Sequence, residues 1–162
     1  MIILGIDPGV ATVGFGAVAA DRGKLKRLAH GVIRTPAGLP LPRRLLLIAE
    51  DLTTLFGKLN PDHVAVEQLY FSKNITTGIP VAQARGVILC EAARFGLPVY
   101  EYGPMQVKQA VAGYGAADKK QVIAMIRTLL SMEKDPRPDD AADALGVAIC
   151  HAQVAGSLLI GR

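Results

Sequence analysis

Two short apolar runs in this chain each end in an acid: MIILGID closes on Asp7 and HVAVE on Glu67. Near-continuous apolar runs belong to strands buried on both faces of a sheet, where a charge is out of place. An acid as the last residue of each run puts a carboxylate outside the carboxyl ends of the strands, where open α/β sheets collect ligands. Further acids lie in PDDAADAL, where Asp140 and Asp143 are three apart and so share one face of a helix. Four converging carboxylates repel one another and cannot all stay ionised without a cation between them. Hard oxygen donors select Mg²⁺ or Mn²⁺ over zinc. The competing reading makes Asp7 and Glu67 turn residues at strand ends, with Asp139 to Asp143 merely capping a helix.

The order of elements predicts an α/β fold, a mixed five-stranded sheet of three antiparallel and two parallel strands with helices on both faces. Residues 1–7, 13–20 and 24–34 read as a meander whose second turn is marked by Asp21, Arg22 and Gly23. A Pro/Gly-rich loop, 34–42, leads to a helix over 43–59, a fourth strand over 63–67, a helix over 79–95 and a fifth strand over 98–102. Pro104 and Gly113 bracket a short helix. Asp118 with Gln121 resembles a capping box opening another, which runs to about Ser131. The last helix starts near Asp139, which is read as its cap, and ends near Gln153.

With 162 residues, 51% of them hydrophobic and 20% charged, the chain is expected to form one compact domain over 1–162, its tail from about 155 less firmly held. No apolar run approaches the roughly 18 residues of a membrane span, and the N-terminus enters a strand without a leader pattern, so the cytoplasm is the expected location. Cys90 and Cys150 lack metal-knuckle or redox spacing and read as reduced core residues. The net charge is +4. Cancelling the four acids with bound metal would double it, a plausible footprint for a phosphate backbone. His151 falls on the face of Asp140 but about 16 Å further along an ideal helix, too far to share a metal. It reads as structural, as do His30 and His63.

The segments IILGIDPGVATVGFG, VAVEQLYFSKN, QARG, QVKQAVAGYGAADKKQV and PDDAADALGVAICH, in that order over nearly the whole chain, resemble the RuvC family of bacterial Holliday-junction resolvases. The resemblance implies a ribonuclease H-like fold and a homodimer that nicks two strands of like polarity symmetrically across a four-way DNA junction, in recombination and repair. Matched position by position, it makes Asp7, Glu67, Asp140 and Asp143 the catalytic and metal-binding acids, the set already reached from the residues. Two Mg²⁺ or Mn²⁺ ions per site, about 4 Å apart, would generate hydroxide and stabilise the leaving 3′ oxygen of an in-line displacement. Ligatable 5′-phosphate and 3′-hydroxyl ends would result.

The same resemblance puts Tyr70 where a family aromatic stacks on unpaired bases at the crossover, with Lys73 and Asn74 on the same loop and Phe71 expected to pack under the sheet. Lys108 and Lys119 match family lysines near the acids. Lys120, Lys73, Arg43 and Arg44 are further candidates for phosphate contact. The family also implies a branch-migration motor complex of RuvA and RuvB as partner. The small-residue stretch GIPVAQARGVILCEAARFG could admit a symmetry mate, or simply pack on its own sheet.

Two other enzyme classes share parts of the pattern. GIDPGVATVG is similar to the first phosphate loop of actin-like and sugar-kinase-like ATPases, but those duplicate the unit and need a second such loop. The ribonuclease H-like nuclease that trims ribosomal RNA precursors shares the DPG opening and a late Asp, but predicts a shorter chain without an aromatic loop. A junction-binding protein that has lost its chemistry would lack one of the four acids, and all four are present.

Overall fold

The computed structural model of the chain describes residues 1–69 and 75–160. Its elements are β1 (Ile2–Asp7), β2 (Thr12–Asp21), β3 (Lys24–Arg34), α1 (Leu41–Leu59), β4 (His63–Glu67), α2 (Ile75–Arg94), β5 (Val99–Tyr102), α3 (Pro104–Ala112), α4 (Lys119–Leu129) and α5 (Asp139–Ile160). The strands form one sheet in the order β3-β2-β1-β4-β5. β1 to β3 are antiparallel neighbours, and β4 and β5 run parallel to β1. Between β2 and β3, Asp21 pairs with Lys24 and leaves Arg22 and Gly23 as the turn, with φ of 46° and 78°. A two-residue hairpin turn of this hand needs φ > 0 at both positions.

Side chains alternate across a strand, so the central strands feed two separate cores. Leu4, Ile6, Val64 and Val66 pack with Ile48, Leu52 and Phe56 of α1 and Ala84, Ile88 and Ala92 of α2. Ile3 and Ala65 face the other way, against Val107 and Val111 of α3, Val122 and Ile126 of α4, and Leu145 and Ile149 of α5. Asp7 and Glu67 continue the rows of Ile3 and Ala65, so both carboxylates belong to the face that carries α5.

That helix lies unusually close to the sheet because glycines line its seat. A β-carbon on Gly14 would run into the Asp140 carbonyl, one on Gly5 into the Ala144 carbonyl and the Ala148 amide, and one on Gly16 into Leu145. Bare backbone at these positions lets the first turn of α5 rest directly on β2.

Several boundaries differ from the sequence expectation. α2 begins at Ile75 and carries Pro80 inside it, and α5 continues to Ile160. Pro80 removes one helical hydrogen bond, but it lies near the start of α2 where few turns depend on it. The tail from about 155 is therefore helical over its described length. Asp139 sits in the first turn of α5 and its Oδ1 accepts from Arg137 Nη1 at 2.9 Å, while the Pro138 carbonyl accepts from the Ala141 and Ala142 amides. Cys150 is buried but Cys90 is exposed, contrary to its reading as a core residue. Only the Ala84, Ile88 and Ala92 side of α2 faces the sheet, at the four-residue spacing of one helix face, and Cys90 lies off it. The other helix ends follow the expected signals: Asp118 accepts from the Gln121 amide, and Gly113 closes α3 at φ 86°.

The histidines add a buried polar link. His151, 2% exposed, meets the Tyr102 hydroxyl through Nδ1 at 2.7 Å and His63 Nδ1 through Nε2 at 2.8 Å. One donor and one acceptor suffice for both contacts, so the neutral ring is satisfied. Burial, reinforced by His63, pushes His151 down to about 4. The folded pKa lies below the unfolded 6.5, so this stabilisation is complete above pH 6.5 and fades as pH falls toward 4, by about 3 kcal/mol at the acid end. A His151→Gln variant should therefore show a flatter decline of melting temperature between pH 7 and 4 than the parent, the difference being roughly 10 °C. Parallel declines would mean that His151 is not the proton acceptor.

Candidate active site

Ile6 of β1 pairs with Val66 of β4, so the next residues, Asp7 and Glu67, stand side by side at the carboxyl ends of adjacent parallel strands. On the other flank Asp7 is in register with Gly14, the residue on which the Asp140 backbone rests. Asp143 follows one turn later on α5. Strand alternation, the glycine seat and helical spacing thus bring all four acids to one end of the sheet, where each is partly exposed.

Their charges act on one another. Burial, then Glu67, Asp143 and Asp140 in that order, push Asp7 up to about 8, with Lys119 pulling the other way. Glu67 is raised by burial and by Asp143, against a hydrogen bond with Asp7 and the charges of Lys119 and Lys108. Lys119 Nζ forms an ion pair with Asp143 Oδ2. Burial lowers the Lys119 pKa, but contact with Asp143 lifts it above the ordinary value. Glu67, Lys108, Lys119 and Asp143 line a recess of about 100 Å³ floored by Val107 and Val122.

An all-oxygen donor set in which burial and neighbouring acids push Asp7 up has the chemistry of a divalent-cation site, since a cation would favour every carboxylate. No three His, Cys, Asp or Glu side chains among the described residues are gathered tightly enough to hold an ion as they stand. The positive charge closest to hand is the Lys119 ammonium.

The remaining expected residues divide. Lys108 is half-buried beside Glu67, and Lys119 and Lys120 are exposed at the start of α4. Arg43 is exposed, but Arg44 Nε donates to Thr35 Oγ1 at 2.7 Å, so Arg44 is engaged within the fold. Tyr70, Phe71, Lys73 and Asn74 lie outside the described residues. Thr35 is a residue that sequence reasoning misses: its buried hydroxyl donates to the Val10 carbonyl at 2.6 Å and thereby fastens the loop that follows Asp7. A threonine after a strand carries no signal for such a contact. The glycine seat does carry one: Gly5, Gly14 and Gly16 recur inside apolar strands, where glycine often marks close approach of another backbone.

Comparisons with known proteins agree over nearly the whole chain. The family model described as crossover junction endodeoxyribonuclease RuvC matches residues 3–151. A protein of that name from Chloroflexus aggregans is 54% identical over 158 residues, 98% of this chain and 96% of its own length. One from Desulfitobacterium hafniense is 53% identical over 152 residues, 94% of this chain and 92% of its own. Among solved structures, Thermus thermophilus RuvC in complex with Holliday junction substrate superposes with a TM-score of 0.92 at 39% identity, covering 97% of this chain and 96% of the other. The mixed five-stranded sheet is accordingly that of the ribonuclease H-like fold.

Proposed function

The chain belongs to the RuvC family of crossover junction endodeoxyribonucleases, and on that premise we propose that it resolves four-way DNA junctions by metal-dependent hydrolysis of two phosphodiester bonds. The observation that carries the reading is the convergence of Asp7, Glu67, Asp140 and Asp143 at one end of the sheet beside Lys108 and Lys119.

In this reading the four carboxylates would hold two Mg²⁺ or Mn²⁺ ions, which would supply a nucleophile at neutral pH and charge stabilisation for the leaving oxygen. Asp7, central among the acids and adjacent to Glu67, would hold metal together with Glu67. Partial burial of Asp7 and Glu67 weakens the screening of their charge by water. Lys108 and Lys119 flank the recess on the side of α3 and α4 and meet the phosphate backbone. Lys120 and Arg43, both exposed, add non-specific phosphate contacts. Tyr70, three residues after Glu67 in the sequence, acts at the unpaired bases of the crossover, and Lys73 and Asn74 contact the DNA backbone beside it. Products carry 5′ phosphate and 3′ hydroxyl.

Symmetrical cuts in two strands require two such sites, so the working form is a homodimer. Leu46 of α1 and Ile79 of α2, 44% and 50% exposed, leave apolar surface on the helix layer opposite α5 for a second copy. The chain acts as one domain in the cytoplasm together with a branch-migration motor of RuvA and RuvB. Among the described residues no helix is long and apolar enough to cross a membrane.

The test is incubation of the purified protein with a labelled four-way junction and a linear duplex of matching sequence, each with EDTA, Mg²⁺ or Mn²⁺. Cutting of the junction alone, only with metal, is expected. Cutting of RNA in place of the junction would favour a ribosomal-precursor nuclease, and junction binding without cutting in any metal would favour a binding protein.

A further inference from the structure

We propose that Lys119 is an internal counter-cation that competes with divalent metal for Asp143 and gives way when substrate phosphate arrives, so that metal loading is coupled to DNA binding. This inference rests on the metal site proposed above.

Two features of the structure support it. The Lys119 backbone is fixed, because Asp118 and Gln121 form a reciprocal capping box at the start of α4, and the Tyr114 hydroxyl braces Gln121. Its side chain is not fixed by packing: it is 47% exposed and reaches over to Asp143, itself 32% exposed. A four-carbon stem on a rigid anchor lets the ammonium take either of two places, against Asp143 or out toward a bound phosphate.

A divalent ion entering beside Asp143 would sit next to the ammonium, and the repulsion weakens its binding until Lys119 moves away. DNA phosphate provides an alternative anion for the lysine. Metal and DNA then strengthen each other's binding, and by linkage the coupling is the same in both directions. Lys108 lines the same recess on the Glu67 side, yet the acid paired with a lysine is Asp143.

The experiment is calorimetric titration of the full chain with Mn²⁺ alone, without DNA, for the parent, Lys119→Met, Lys119→Arg and Lys120→Met, with a thermal melt of each in EDTA to establish folding. Lys119→Met should bind Mn²⁺ about ten-fold more tightly than the parent. Lys119→Arg, which keeps the charge, should stay close to the parent, and Lys120→Met, which loses the same charge one residue away, should change less than about two-fold. Equal affinity in the parent and Lys119→Met, or an equal gain in Lys120→Met, would overturn the competition while leaving the metal site standing. No Mn²⁺ uptake by any of the four would overturn the metal site itself, and the competition with it.

Discussion

Asp7→Asn should abolish junction cleavage, by at least about a thousand-fold, while junction binding is kept or improved. The substitution preserves shape but removes a metal-binding charge at the centre of the acidic cluster. It also removes one source of repulsion toward DNA phosphates. The same variant should melt several degrees higher than the parent in EDTA at pH 8. Asp7 is held at about 8, mainly by burial and then by Glu67. A carboxyl with a raised folded pKa stabilises the fold fully only below its unfolded value of 3.8, and that stabilisation is lost as pH rises toward 8. Asparagine carries no such penalty, and saturating Mg²⁺ should close the gap by restoring the parent. Loss of binding together with cleavage, or a lower melting temperature in EDTA, would mean that Asp7 serves the fold instead of the chemistry.

Gly14→Val should also be severely defective, for a reason that involves no acid. Its side chain would occupy the place of the Asp140 carbonyl and lift the first turn of α5 off β2. A displacement of about 1 Å in a constellation of catalytic groups costs on the order of a hundred-fold in rate. Overpacking of this kind also destabilises by roughly 1–3 kcal/mol, so the protein should remain folded. Cleavage measured beside a melting curve separates the two effects. Gly38→Val, where a β-carbon would meet open space, is the control expected to retain activity. Full activity in Gly14→Val would show that Asp140 does not need its present seat.

Much of the architecture is legible in the sequence because the strands announce themselves. Ile2 to Ile6 and Val64 to Val66 are apolar on both faces, so the acids that end them stand out from the residue pattern alone. Asp140 and Asp143 are linked to them in the sequence only by helical spacing and by the demand for a cation. Gly5, Gly14 and Gly16 mark in the sequence a close approach of backbone but not its partner, because the residues they seat lie more than 125 positions away. The engagement of Arg44 with Thr35 is hidden for a related reason, since an arginine in the first turn of a helix looks alike whether it faces solvent or a buried hydroxyl. Cys90 misleads because an apolar neighbourhood along the chain is not an apolar neighbourhood in space once a helix turns one side outward. The Lys119 to Asp143 pair joins positions 24 apart on two helices, and the helical pattern of neither predicts it.

The most direct test of junction resolution is the symmetry and chemistry of the cut. A mobile four-way junction labelled on each strand in turn should, with Mg²⁺ or Mn²⁺, yield nicks at matching positions in two strands of like polarity, and DNA ligase should seal the products into intact linear duplexes. Nicks confined to one strand, products that ligase cannot seal, or equal cutting of linear duplex would contradict it.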